Sequence, residues 1–100
     1  MSTNTDLVVL ATASAKPGAE EALLAALRDV AAPTRAQPGC RSFELLRSRE
    51  SPGVVIAIER WASAADHARH LQGAHVARLM TAMTPLLAAP PVISACESVG

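Results

Sequence analysis

The sequence predicts an α+β domain of order β-α-β-β-α-β, with a four-stranded antiparallel sheet and its helices on one face. Three observations predict it. Four short segments, residues 7–15, 40–48, 54–61 and 92–97, read as strands. Two longer segments between them space their apolar residues at helical period. Pro- and Gly-bearing breaks separate the elements, and the resulting order is the split β-α-β arrangement of ferredoxin-like folds.

Leu7 to Ala15 is the first strand, apolar at its start and small-residue later. Lys16-Pro17-Gly18 ends it. Glu20 and Glu21 then fall in the first turn of a helix, where carboxylates meet the positive end of the helix dipole. Leu23, Leu27, Val30 and Thr34 recur at helical spacing, and Leu24 and Ala31 widen that stripe. Pro33 supplies no backbone donor and is expected to kink or thin the helix near its end, which Gln37-Pro38-Gly39 closes.

Cys40 to Ser48 is the second strand, and Glu50-Ser51-Pro52-Gly53 is a hairpin-type turn. Val54 to Trp61 is the third and most apolar strand. Ser63 and Asp66 form Ser-x-x-Asp, a capping-box-like start to a second helix. Gly73 interrupts that helix, so two pieces are expected, with His75 just past the break. The second piece carries Val76, Leu79, Met80, Met83, Leu86 and Leu87 as its core stripe. Ala88-Ala89-Pro90-Pro91 ends it, and Val92 to Glu97 is the fourth strand.

Strands one and three read as near-continuous apolar runs, the pattern of a sheet covered on both faces. The helices cover one face. A second copy of the chain, packed sheet against sheet, is the simplest cover for the other, so a homodimer is expected. In this topology strands two and four lie at opposite edges, which keeps Cys40 away from Cys96 within one subunit.

One hundred residues make one domain, residues 1–100, with residues 1–6 expected as a flexible N-terminus. Such a chain buries only about two-thirds of its unfolded surface, a further reason to associate. Nine basic and nine acidic side chains cancel, no basic block is present, and Trp61 and Phe43 are the only aromatics. Nucleic-acid binding is excluded on that ground, since it needs a positive surface and stacking side chains. No apolar run approaches the roughly 20 residues that span a bilayer, and the N-terminus lacks the features of a signal peptide. No membrane partner is expected, and a cytoplasmic location is. There, the two cysteines stay reduced and are read as inert thiols. No Gly-x-Ser-x-Gly is present, so hydrolase-type nucleophilic chemistry is not expected.

The least generic stretch is Ile58 to His75, which holds the only tryptophan and all three histidines. Histidine titrates near neutrality, and a strand-to-helix junction such as the one after Trp61 is a rigid place to aim a functional group. A metal site built from His67, His70 and His75 is not expected. No carboxylate or cysteine stands at ligand spacing, and His75 lies beyond the glycine break.

Lys16-Pro17-Gly18 before the first helix, Pro38-Gly39-Cys40 opening the second strand, Glu59-x-Trp61 ending the third, and His70 and His75 after it occur in a characteristic order and spacing. With them, from Leu7 to Glu97, the chain resembles the antibiotic biosynthesis monooxygenase domain. That domain is a branch of the dimeric α+β barrel proteins that includes quinol monooxygenases. The resemblance implies a dimer of ferredoxin-like subunits with a ligand cavity between sheet and helices. It also implies oxygenation of a quinol or aromatic polyketide-type phenol by O2 without metal, flavin or haem. Such chemistry requires an apolar pocket, a proton acceptor and donors for a developing oxyanion.

On that reading His70 and His75 are the candidate proton acceptor or oxyanion partner, the alternative being ordinary helix residues. His67, one turn before His70, is expected to face solvent. Trp61 either walls the substrate cavity with its indole N–H as a fixed donor or anchors the core. Glu59 shares the Trp61 face of the strand and needs a partner there, either Arg41 or Arg47 across the sheet or a histidine that it orients. Met80 and Met83 line the cavity or fill the core. A non-catalytic dimer that binds a small apolar ligand or serves as an interaction module is the competing function. Haem degradation is the least expected, because relatives with that activity carry an asparagine on the first strand. Here that strand carries Leu10, Ala11 and Thr12, and Asn4 precedes it.

Overall fold

A computed structural model describes residues 6–100, so Asn4 and all but the last residue of the expected flexible N-terminus lie outside the described residues. The elements are β1 (Leu7–Ser14), α1 (Glu20–Arg35), β2 (Cys40–Arg47), β3 (Val54–Trp61), α2 (Ala64–Leu71), α3 (Ala74–Met83), a single 3-10 turn (Thr84–Leu86) and β4 (Val92–Cys96). The four strands form one antiparallel sheet in the order β2-β3-β1-β4, the ferredoxin-like arrangement, with Cys40 and Cys96 on opposite edge strands.

Local chemistry explains the boundaries. The Glu20 carboxylate accepts the Gly18 N–H at 3.2 Å, serving an amide at the unsatisfied start of α1. Pro33 denies the Asp29 carbonyl its usual donor, yet the helix runs on to Arg35. There the guanidinium donates twice to the Phe43 carbonyl, at 3.1 and 2.9 Å, and ties the helix end to β2. Ser63 caps α2 by accepting the Asp66 N–H at 3.1 Å and donating its hydroxyl to the Asp66 carboxylate at 2.9 Å. The break at Gly73 falls as expected, with α3 opening at Ala74. Helix α3 is shorter than the predicted apolar stripe. Pro85 cannot donate to the carbonyl a turn earlier, so the chain tightens into the 3-10 turn while Leu86 and Leu87 still pack on the core.

Strand register fixes which residues look toward the helices. Val9 pairs with Glu59, Ala11 with Ala57 and Ala13 with Val55, while Phe43 and Leu45 pair with Glu59 and Ala57 from the other side. This face packs on the α1 stripe, with Leu23, Leu24, Leu27, Val30 and Ala31 all buried. The opposite face presents Leu10, Leu46 and Val92, which are 37%, 39% and 62% exposed, around the half-buried Ile56 and Ile58.

Candidate active site

The site forms where β3 runs out under α2. Glu59 and Trp61 are two residues apart on a strand and so project to one face, toward the helices. The capped start of α2 then brings His67 and His70 over that face. Trp61 is fully buried, and its ring centroid lies 4.8 Å from that of His70 and 5.9 Å from that of His67.

Between this cluster and the helices lies a cavity of about 90 Å³, with Glu59, His67 and His70 on its wall and otherwise almost wholly apolar surroundings that include Phe43, Leu79, Met80 and Met83. Met83 is buried at its base, and Met80 is 41% exposed, as are Leu71 (45%) and Ile93 (53%), which also line it.

Glu59 is the centre of the polar network. Its Oε1 accepts the Trp61 Nε1–H at 3.0 Å and lies 3.9 Å from His70 Nε2. The expected arginine partners are engaged elsewhere, Arg41 with Asp6 at 3.3 Å and Arg47 with Glu21 at 3.1 Å. This corrects the first of the two expectations for Glu59. The register explains why: Arg47 pairs with Val55, four residues from Glu59, and Arg41 sits at an irregularity between Cys40 and Ser42. The other nitrogen of His70, Nδ1, meets the side-chain oxygen of Gln37 at 2.5 Å.

His67 is placed against expectation, and Trp61, in the core-anchor alternative, and His75 lie off the cavity wall. His67 does not face solvent; it is half-buried and lines the cavity. Trp61 lies behind the cavity wall, because its N–H is spent on Glu59 and its ring is covered by α2. His75 is not on the cavity wall either. Gly73 turns the chain, so His75 lines a separate groove between α1 and α3 with Asp29 and Arg78, its ring centroid 5.4 Å from that of His70. Its Nε2 is buried with no hydrogen-bond partner among the described residues. Gln37 escaped sequence reading altogether. A glutamine in a Gln-Pro-Gly turn has the look of solvated punctuation, and no spacing rule links position 37 to position 70.

The electrostatics follow from burial. Glu59, 5% exposed, has its carboxyl pushed up by burial, against which the Trp61 hydrogen bond pulls down. His70, 6% exposed, is lowered to about 4 by burial, then by His75 and His67. His67 is lowered by burial as well. Cys40 is raised by burial and by Glu59, with Arg35 opposing, so its thiol stays protonated and inert. Burial therefore keeps His70 neutral at neutral pH and opposes negative charge on Glu59. A buried pair ready for one proton, beside an apolar cavity, can act as a general base.

Among the described residues no group of three or more His, Cys, Asp or Glu side chains is arranged to hold a metal ion, and no helix is long and apolar enough to cross a membrane. The sequence profile of the antibiotic biosynthesis monooxygenase family matches residues 6–82. The chain belongs to that family. This antibiotic biosynthesis monooxygenase family member is 31% identical over 88 residues to a Mycobacterium tuberculosis protein named "Putative monooxygenase Rv0793", covering 88% of this chain and 86% of that one. The solved structure of Rv0793 superposes with a TM-score of 0.89 at 28% identity, covering 96% of this chain and 97% of that one. The crystal structure of PA3566 from Pseudomonas aeruginosa superposes with a TM-score of 0.90 at 31% identity, over 100% of both chains. The family assignment and the ferredoxin-like fold thus agree with the sequence-based resemblance.

Proposed function

We propose that this chain is a monooxygenase that oxidises a small quinol or related electron-rich phenol with O2, using His70 and Glu59 to take the phenolic proton. The single observation that carries this reading is the Glu59–His70 pair, 3.9 Å apart on the wall of an otherwise apolar cavity. A substrate hydroxyl placed there gives its proton to the pair. The resulting anion is electron-rich enough to reduce O2 by one electron, and recombination forms the new C–O bond. In sum, a hydroquinone and one O2 give a hydroxylated benzoquinone and one water. One oxygen atom enters the ring and the other leaves as water. The substrate supplies all the electrons, so the reaction calls for no metal or organic cofactor.

Cavity size narrows the substrate. An apolar cavity of ~150 Å³ accepts a benzene ring, and this one is about 90 Å³. A single ring enters with small movements of flexible Met80 at the mouth, whereas a fused polycycle needs more. His75 and His67, beside His70, add to burial in disfavouring a proton on its ring. The working unit in this reading is a homodimer. The sheet face bearing Leu10, Leu46, Ile56 and Val92 is apolar and uncovered by the chain's own helices, and a second copy packed on it gives the closed barrel the strand patterns call for. Both cysteines are free thiols, in keeping with a reducing, cytoplasmic setting.

The test is O2 consumption and product mass for purified protein with substituted hydroquinones and anthrones, in wild type, His70→Ala and Glu59→Gln. Turnover with at least one single-ring quinol, reduced ~10²–10⁴-fold in either variant, is expected. Saturable binding of these compounds without O2 uptake would instead identify a ligand-binding module of the same fold.

A further inference from the structure

The basicity of His70 depends on which ring nitrogen carries its proton, and among the described residues Gln37 is the hydrogen-bond partner of Nδ1. Nδ1 lies 2.5 Å from Gln37 Oε1. A carbonyl oxygen has no proton to give, so at that separation the proton must sit on Nδ1. Nε2 is then left with its lone pair, 3.9 Å from Glu59 Oε1. Two acceptors facing each other across that gap repel, and a proton or a hydroxyl donor placed between them relieves the repulsion.

We propose that Gln37 is a positioning residue: by holding the proton of neutral His70 on Nδ1, it makes Nε2 the proton-accepting atom of the cavity. The turn that carries Gln37 is built for a fixed location. The Cys40 N–H donates to the Gln37 carbonyl at 3.1 Å, and the Ala62 N–H donates to the Gly39 carbonyl at 2.8 Å, which locks the turn against the start of α2. Gly39 has φ +84, and a Cβ there would collide with the Asp66 carboxyl group, so the turn sits against α2 closer than any side chain permits. Gln37 thereby reaches His70 from a loop that the sequence presents as mere punctuation. A free histidine side chain prefers its proton on Nε2, so the Gln37 contact is what reverses the preference.

This inference rests on the reading of His70 as the base, but its primary readout does not require turnover. Imidazole 15N spectra distinguish a protonated from an unprotonated ring nitrogen directly. In wild type at pH 7, His70 is expected to show a protonated Nδ1 and an unprotonated Nε2, and Gln37→Met is expected to shift population toward a protonated Nε2. Gln37→Glu places a carboxylate on Nδ1 and is expected to raise His70 above its value of about 4. The other groups facing that ring are Glu59 from β3, His67 on α2 itself and His75 from α3, and none of them is altered by the substitution. Because a base must be unprotonated to act, the acid limb of kcat/KM in Gln37→Glu moves to higher pH. Gln37→Met lowers kcat roughly five- to ten-fold with KM little changed.

A wild-type His70 protonated on Nε2 overturns the proposal, since it requires the Gln37 amide to present its NH2 group instead. An unchanged tautomer in Gln37→Met overturns it too. If Gln37→Met does not fold, the wild-type spectrum and the Gln37→Glu titration decide. A correct tautomer in a protein that turns over no quinol leaves the Gln37 assignment standing and removes the proposed reaction.

Discussion

Glu59 and Trp61, two residues apart on one face of β3, are joined by a 3.0 Å hydrogen bond in which the only indole of the chain donates to a carboxylate that is 5% exposed. That bond turns a core tryptophan into an electrostatic element of the site. It stabilises negative charge on Glu59 where burial opposes it.

Trp61→Phe removes the donor and leaves the carboxylate with His70 alone. Stability is expected to fall by roughly 2–4 kcal/mol, from the unpaired acceptor and the unfilled indole volume together. Urea denaturation followed by circular dichroism measures it. In a Glu59→Gln background the same substitution should cost less, because no charge is then stranded. Equal costs in the two backgrounds would show that the bond contributes nothing.

The pH dependence of stability separates the two members of the pair. His70 is held near 4 when folded, against ~6.5 in an unfolded chain. Between these values the unfolded chain binds a proton that the folded one refuses. Its contribution is therefore full above about 6.5 and is lost as pH falls toward 4. A displacement of that size is on the order of 3 kcal/mol. Glu59 acts with the opposite sign. Its raised carboxyl keeps a proton in the folded state that the unfolded one has released, so stability is lost as pH rises from the ordinary carboxylate range through its folded value. Denaturation midpoints from pH 4 to 7 should rise less in His70→Asn than in wild type, and more in Glu59→Gln. Parallel profiles for wild type and His70→Asn would mean that His70 is not a buried neutral imidazole.

Gly39→Ala is expected to cost more than about 2 kcal/mol, because it combines a left-handed backbone, φ +84, with a methyl group driven into Asp66. The thermal midpoint should drop. The Gln37–His70 contact should loosen as well, visible as a changed His70 tautomer population. A variant as stable as wild type would refute the close approach between the Gln37–Cys40 turn and α2.

Leu10→Lys tests the uncovered sheet face. Leu10 pairs with Ile58 on one side and Ser94 on the other, so a charge there stands in the middle of the proposed barrel interface, once from each subunit. Sedimentation should change from dimer to monomer at micromolar concentration. A wild-type protein that sediments as a monomer would rule out the homodimer.

The framework was legible in the sequence because it rests on local rules. The Leu23-Leu27-Val30 spacing, the Ser63–Asp66 cap and the Gly73 break each depend on residues within a turn or two of one another, and the structure places each as expected. The apolar stripe predicts a longer α3, through Leu86 and Leu87, because the stripe does not register that Pro85 denies the helix a donor. Local sequence predicts a solvent-facing His67, since nothing within a turn or two reveals that Trp61, six residues earlier, packs against it.

The order of elements, the family and the stretch that holds the polar chemistry are all readable along the chain. Hydrophobic period, caps and breakers are written in consecutive residues. The partners come from packing: Glu59 with Trp61 and His70 instead of Arg41 or Arg47, His75 behind the cavity wall instead of on it, and Gln37 on Nδ1 of His70. Those contacts join strand register, a glycine-dependent turn and a helix packed over it. Their distances are set by how whole elements stack, which no spacing along the chain encodes.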